Sequence, residues 1–372
     1  MKAREKGEIR EFFAGSTVVI TGGVGSVGSE IAKQLLELPV KELRVLDNNE
    51  TALFEAEQLY GADVRFKAFQ TDITNEWETL RVLSGADYVF HAAALKHVPS
   101  CEKSPFSAID TNILGVKSII RAAQRNSVKK VLFTSSDKAV SPTNVMGASK
   151  LLGERLFVAA NYISVGPDRG TIFSNTRFGN VAGSRGSVIP LFCRQIMQGG
   201  PVTLTDDRMT RFIMTLEDAT ELVIESMVHA RGGDTFITKM PSLNIADLTR
   251  VMVDVVAPLF DYLPSEIEVR MTGARPGEKL WEELSTEEES RRILEGDRYL
   301  CVLPSANDIP ADIEDQYSAI GLRRSDCVYN SHTEPKMTDS EIMRFLMLPD
   351  VLPENVRMAL ENNVRNLAKV NS

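Results

Sequence analysis

Along the first half of the chain, short unbroken apolar runs alternate with stretches whose apolar residues recur at helical spacing. The runs are TVVIT (17–21), ELRVLD (42–47), VRFKAFQ (64–70), DYVFHAA (87–93), KKVLFTSS (129–136) and GTIFSNTRF (170–178). They are short and nearly continuous in apolar character, as strands buried on both faces are. Between them, 27–37, 51–59, 107–125 and 146–161 read as helices; AIDTNILGVKSIIRAA (108–123) shows the spacing clearly. Strand–helix alternation of this kind predicts an α/β fold, a doubly wound parallel sheet.

After about residue 179 the alternation fades. Helical patterns at 188–198, 216–230, 243–257 and 339–347 are mixed with the short strands DTFIT (234–238) and EIEVRM (266–271). Three loop-like pieces, SRGS, MTR and ARPGEK, are rich in Arg and Gly. The pattern predicts a sheet domain over 1–178, a smaller C-terminal substrate-binding α/β region over 179–330, and a helical tail over 331–372. The two domains are expected to interleave, because the chain after 178 can cross back to complete the sheet.

Composition narrows the function classes. The net charge of −9 and pI of about 5.2 argue against a general nucleic-acid binder. Cys101, Cys193, Cys301 and Cys327 are widely spaced with no C-x-x-C pair, which predicts reduced thiols in a cytoplasmic protein. His91, His97, His229 and His332 lack zinc-ligand spacing, so no metal site is expected. No apolar run reaches the roughly 18 residues of a membrane span. The charged start, MKAREKGEIREFFAG, lacks an apolar signal core and reads as an amphipathic helix.

The first strand runs into VVITGGVGSVGSE, where Gly22, Gly25 and Gly28 flank Ser26 and Val27. Glycines there let the backbone turn tightly and approach a pyrophosphate at the following helix N-terminus. Asp47 ends the next strand, where a carboxylate accepts hydrogen bonds from a ribose diol and repels a 2′-phosphate. The expected cofactor is therefore NAD, in a Rossmann-type domain. Asp72 and Ile73 are placed to flank the adenine, and Ala92 and Ala93 give the fourth strand a close approach to the cofactor.

Lys150 closes MGASK, where many nicotinamide enzymes have Tyr-x-x-x-Lys; the tyrosine position is Met146, which moves no proton. Lys150 retains its role on the nicotinamide ribose, and Met146 is expected to be packing. Just upstream stands Ser136-Asp137-Lys138.

Together the glycines and MGASK resemble the extended short-chain dehydrogenases/reductases. HAAALKHVP (91–99), SSDKAVSPTNVMGASK (135–150), RFGNVAGSRGSVIPLF (177–192), MTRFIMT (209–215) and RPGEKLWEEL (275–284) resemble the CapD-type polysaccharide-biosynthesis branch. That branch includes UDP-N-acetylglucosamine 4,6-dehydratases, and its usual Thr-Asp-Lys is Ser136-Asp137-Lys138 here. The resemblance implies oxidation at sugar C4, loss of water across C5–C6, and hydride return to C6. It implies Asp137 as acid toward the C6 hydroxyl, Lys138 as C5 base and Ser136 as an aid at the C4 hydroxyl. A homo-oligomer is expected, and only the soluble part of relatives that carry membrane helices.

A nucleotide sugar brings two phosphates, which suit forked Arg contacts. Arg211 and Arg275 are the candidates, with Asn180 on diphosphate or sugar and Arg185 on a substrate loop. Lys96 and His97 stand at the sheet edge near the sugar, and Glu278 binds the nucleoside ribose or pairs with Arg275. The EEESRR run (287–292) reads as a solvated helix face. The favoured substrate is UDP-N-acetylglucosamine. A nucleotide-sugar epimerase, a GDP-linked substrate and a non-catalytic NAD-binding regulator are the alternatives.

Overall fold

The computed structural model describes residues 3–163, 170–184, 186–274, 277–305 and 312–370. Its contacts divide the chain into two compact units. The first is Met1–Phe178 with Ala219–Lys239 and Leu284–Val328; the second is Gly179–Asp218 with Met240–Glu283 and Tyr329–Ser372.

The first unit is built on a ten-stranded sheet. Its early strands are β1 (Thr17–Thr21), β2 (Glu42–Asp47), β3 (Phe66–Gln70), β4 (Tyr88–His91), β5 (Lys130–Thr134) and β6 (Ile172–Arg177). In space β3, β2, β1, β4, β5 and β6 lie side by side, all parallel. Every residue of β1, β4 and β5 is buried, which is why those runs carry no polar alternation. This is the Rossmann-type doubly wound order, whose direction reverses between β1 and β4. Ligands of such sheets bind beyond the strand carboxyl ends at that reversal.

The later chain extends the sheet. Thr235–Thr238 pairs parallel to β6, and Tyr299–Val302 pairs antiparallel to it. Ile293–Glu295 and Arg323–Ser325 follow, also antiparallel. These last three strands have three or four residues each, too short for periodicity to reveal.

Val19, Val89, Val116, Ile119, Phe133, Phe157 and Phe173 form the centre of one core layer. On the N-terminal helix Ala3–Phe13, Phe13 is fully buried and packs against Tyr88 and Phe90. Lys130 is buried too, its Nζ donating to the carbonyls of Met227, Val228 and Ala230 at the end of a helix. The helix expected over 107–125 is three pieces: Pro105–Ile109, a π-turn at Asp110–Leu114, and Gly115–Arg125. A Cβ on Gly115 would lie 2.6 Å from the Ile73 side chain.

The second unit carries a three-stranded sheet of Ser242–Asn244, Thr210–Met214 and Asn180–Val181, and a parallel pair of Val202–Leu204 with Val269–Met271. Helices Val188–Met197 and Ile245–Val256 supply Phe192, Leu248 and Met252 to its core. Residues 331–372 are not a separate tail in this arrangement. Ile342, Phe345, Leu346, Val351 and Val356 enter the same core, because Asp339–Leu346 and the segment after it present an apolar face.

None of the four cysteines forms a disulfide among the described residues, and all but Cys327 are buried. Among the described residues no His/Cys/Asp/Glu group could hold a metal, and no helix is long and apolar enough to cross a membrane.

Candidate active site

The loop after β1 is shaped by glycine at two points. Gly22 adopts φ +64°, and a Cβ there would lie 2.6 Å from the backbone of Ala93. A Cβ on Gly28 would lie 2.2 Å from the Gly22 carbonyl oxygen. Glycine therefore lets this loop press against the chain leaving β4 and against the helix Ser26–Leu36. Gly25 caps that helix without a side-chain hydrogen bond, so the first-turn amides of Ser26 and Val27 face the loop without an intrahelical acceptor.

Half-buried Asp47 stands at the end of β2. Its Oδ2 accepts from Val24 N at 3.3 Å and its Oδ1 from Asn49 N at 3.1 Å, which fixes the carboxylate beside the glycine loop. Ala92 N donates to the Thr21 carbonyl and Ala93 N to Thr21 Oγ1. That hydroxyl also contacts His91 Nδ1 at 2.6 Å. His91 is fully buried, and burial followed by the charge of Lys150 pushes its pKa down to about 3. Asp72 and Ile73 part company: Asp72 is exposed and holds Thr74, whereas the Ile73 side chain packs in the core against Gly115. Of the two residues expected beside an adenine, Asp72 thus has its side chain on the surface and Ile73 has its side chain in the core.

Beyond β5 the chain makes one 3-10 turn, Asp137–Ala139, capped by Ser136, whose Oγ accepts from Lys138 N. Ser136 Oγ donates to Asp137 Oδ1 at 2.5 Å, and Lys138 Nζ donates to the same oxygen at 3.0 Å. Asp137 is wholly buried, and its other oxygen, Oδ2, has no hydrogen-bond partner among the described residues. A buried carboxylate oxygen without a donor is costly, and such atoms are found where a ligand completes the set.

The helix Val145–Ile163 begins against this turn, since a Cβ on Gly147 would lie 2.2 Å from the Lys138 carbonyl oxygen. Met146 is 3% exposed in an apolar cluster with Cys101 and Ala108. One turn on, Lys150 is buried, donates to the Thr134 carbonyl at 2.9 Å and lies 4.5 Å from the Phe133 ring centre. Desolvation brings its pKa down to about 8.

Two features of this unit were not read from the sequence. Asn112, in the π-turn, accepts from Leu95 N at 2.8 Å and donates to Leu95 O and Ser149 Oγ. It thereby ties the segment after β4 to the Lys150 helix. Its signal was a polar residue on the face that carries Val116, Ile119 and Ala123. The second is a buried ion cluster. Arg177 at the end of β6 grips Glu154, on the Lys150 helix, through Nε and Nη2 at 2.8 and 2.7 Å. It also grips Glu289 at 2.9 and 2.8 Å and the Leu284 carbonyl at 3.0 Å. Glu289 belongs to the run read as a solvated face; it is 4% exposed, because Arg177 draws it inward. Arg177 holds the Glu289 carboxyl at a pKa of about 2 against the opposing effect of burial.

Lys96 and His97 are exposed just after β4, His97 capping the short helix Val98–Lys103. In the second unit, Asn180 starts its first strand and Glu278 is half-buried in an irregular segment. Arg211, expected on a phosphate, donates to the carbonyls of Thr210, Lys279 and Leu280, and lies 3.8 Å from Glu282. It anchors the loop that carries Glu278. Arg185 and Arg275 lie outside the described residues.

Comparison with known proteins adds to this geometry. Residues 18–304 match the model of the family described as polysaccharide biosynthesis protein. An uncharacterized membrane protein of Methanocaldococcus jannaschii is 44% identical over 91% of this chain and 97% of its own length. A UDP-glucose 4-epimerase of Rickettsia canadensis is 36% identical over 93% of this chain and all of its own. Among solved structures, Pen from Bacillus thuringiensis superposes with a TM-score of 0.82 at 38% identity, covering 90% of this chain and 98% of that one.

Proposed function

Since this chain belongs to the polysaccharide biosynthesis protein family, we propose that it is an NAD-dependent nucleotide-sugar 4,6-dehydratase acting on UDP-N-acetylglucosamine. The observation that carries the reading is the contact of Asp137 with Lys138, beside a Met146 sealed in apolar packing. An enzyme that only oxidises and reduces C4 needs one proton-transfer group there. A dehydratase needs in addition an acid and a base on neighbouring carbons. Position 146 offers neither, whereas residues 136–138 offer a hydroxyl, a carboxyl and an amine on one turn.

The fit to a dinucleotide rests on the close approach that Gly22 and Gly28 permit, the amides of Ser26 and Val27, and the fixed carboxylate of Asp47. When bound, NAD supplies a reversible hydride acceptor. Lys150 would hold the nicotinamide ribose. The C4 hydroxyl proton passes through Ser136, hydrogen-bonded to Asp137, to the Asp137 carboxylate as the ketone forms. That ketone acidifies C5, whose proton passes to the amine of Lys138. The Asp137 carboxyl protonates the departing C6 hydroxyl, and water leaves. Lys138 returns a proton to C5 as C6 is reduced, which leaves Asp137 and Lys138 as they began. Proton gains and losses on the protein cancel over one turnover, and the sugar has lost one water.

The second reading, a nucleotide-sugar epimerase, is supported by the name of the Rickettsia relative. Incubation with UDP-N-acetylglucosamine in deuterated water separates the two. The dehydratase gives a product lighter by one water, with deuterium at C5 and the original C4 hydrogen at C6. An unchanged mass with inverted C4 and no C5 label overturns the proposal in favour of the epimerase.

A further inference from the structure

Four ionisable side chains are buried together in the first unit: Lys150 at 6% exposure, Glu154 at 3%, Arg177 at 3% and Glu289 at 4%. Lys150 and Glu154 are one turn apart on one helix. Arg177 connects Glu154 to Glu289, and its five N–H donors are all used on these two carboxylates and the Leu284 carbonyl. Glu289 is held in turn by Thr286 N at 3.0 Å.

Formal charge shows why two carboxylates are present. Arg177 with Glu154 alone is neutral, and burying a second carboxylate against a neutral pair gains little for its desolvation. Adding Lys150 changes the sum. With both cations, Lys150 and Arg177, in the set, neutrality requires both carboxylates, Glu154 and Glu289. The titratable groups acting on Lys150 are Glu154 on its own helix and His91 from β4, and His91 is neutral at physiological pH. The remaining negative charge comes from Glu289, far along the chain.

We propose that Glu289 is a positioning residue: acting through Arg177 and Glu154, it supplies the counter-charge that keeps the buried Lys150 ammonium protonated. The consequence for cofactor binding rests on the reading of Lys150 as the ribose ligand; the charge balance itself does not. With Glu289 neutral, the cluster carries one excess positive charge. Arg177 cannot release a proton at any accessible pH, so Lys150 does.

The test is Glu289→Gln, which keeps the shape and one of the two acceptor oxygens but removes the charge. NAD affinity is measured by titration across roughly pH 6 to 9.5. In the unaltered protein, affinity falls with a midpoint near the Lys150 pKa of about 8. In Glu289→Gln that midpoint moves down by roughly one pH unit, affinity at the acid end is retained, and Glu289→Asp restores the original midpoint. A midpoint present in both proteins and unmoved by Glu289→Gln overturns the proposal.

Thermal unfolding of the cofactor-free protein against pH gives a second readout. The folded-state pKa of Lys150 lies below its unfolded value, so its contribution to stability grows as pH rises from about 8 toward 10.5. The growth begins at lower pH in Glu289→Gln and is absent in Lys150→Met. An onset unmoved by Glu289→Gln sinks the counter-charge idea. A moved onset without any pH midpoint in NAD binding upholds it and removes Lys150 from the ribose. Should Glu289→Gln fail to fold, Glu154→Gln leaves the same excess charge and the same shift is expected.

Discussion

Lys138 and Asp137 are neighbours in sequence that also meet through their side chains, Nζ to Oδ1 at 3.0 Å, with the Ser136 hydroxyl on the same oxygen. Under the proposed chemistry Asp137 receives the C4 proton through Ser136 and passes it to the C6 hydroxyl, while Lys138 takes and returns the C5 proton. Asp137→Asn removes the acid with little change of shape. Turnover of UDP-N-acetylglucosamine, followed by NMR, should fall roughly 10²–10⁴-fold. Lys138→Met should fall likewise while still oxidising C4, seen as reduced-nicotinamide absorbance in a single turnover. Undiminished turnover in Asp137→Asn would remove this turn from the chemistry.

Met146 gives the complementary expectation. Its side chain touches apolar neighbours and no group in transit. Met146→Leu, a swap of similar volume, should keep turnover within a few-fold and cost less than about 1.5 kcal/mol of stability. A large loss of turnover with unchanged stability would mean that the thioether acts in catalysis.

In the proposed function Asp47 sets cofactor choice. Its carboxylate is fixed by two backbone amides, and a 2′-phosphate brought to it meets like charge. NAD should bind the cofactor-free protein more tightly than NADP, and Asp47→Ala should narrow the gap by on the order of 1.5–3 kcal/mol, the worth of charge-assisted hydrogen bonds. Tighter NADP binding by the unaltered protein would contradict the assignment.

His91 predicts acid sensitivity. Its folded-state pKa of about 3 lies below the unfolded value near 6.5, so the unfolded chain binds a proton that the folded chain refuses. Stability present above pH 6.5 is therefore lost as pH falls toward 3, by up to about 1.4 kcal/mol per pH unit from this group. In His91→Phe, melting temperature should decline less steeply between about pH 6.5 and 4. An identical slope would place the acid lability elsewhere.

The sequence made the sheet legible where burial left long apolar runs: β1 and β2 stand at the ends their residues announce. The glycines also spoke for themselves, because no other residue fits where Gly22 meets Ala93. Glu289 did not. A run of acidic and basic residues carries no periodicity that separates a solvated glutamate from one drawn inward by an arginine 112 positions away. Ile73 was also hard to read: its position after β3 suggested a ligand contact and did not show that its side chain lies in the core next to Gly115. Arg211 shows a third limit. A forked donor suits backbone carbonyls as well as phosphate, and sequence does not say which it finds first.

The completion of the sheet by late segments has a consequence for how the chain is made. Synthesis releases β6 with one edge bare, and that edge waits for Thr235–Thr238, which itself waits for Tyr299–Val302. An open parallel edge is a template for pairing with other chains. Arg177 emerges 23 residues after Glu154 but must wait 112 more for Glu289. A nascent or truncated chain that stops before residue 284 thus combines a sticky strand edge with an unfinished ion cluster. Long-range pairings of this kind slow folding, so the interval between the two halves of the sheet is when this protein most needs a chaperone's protection.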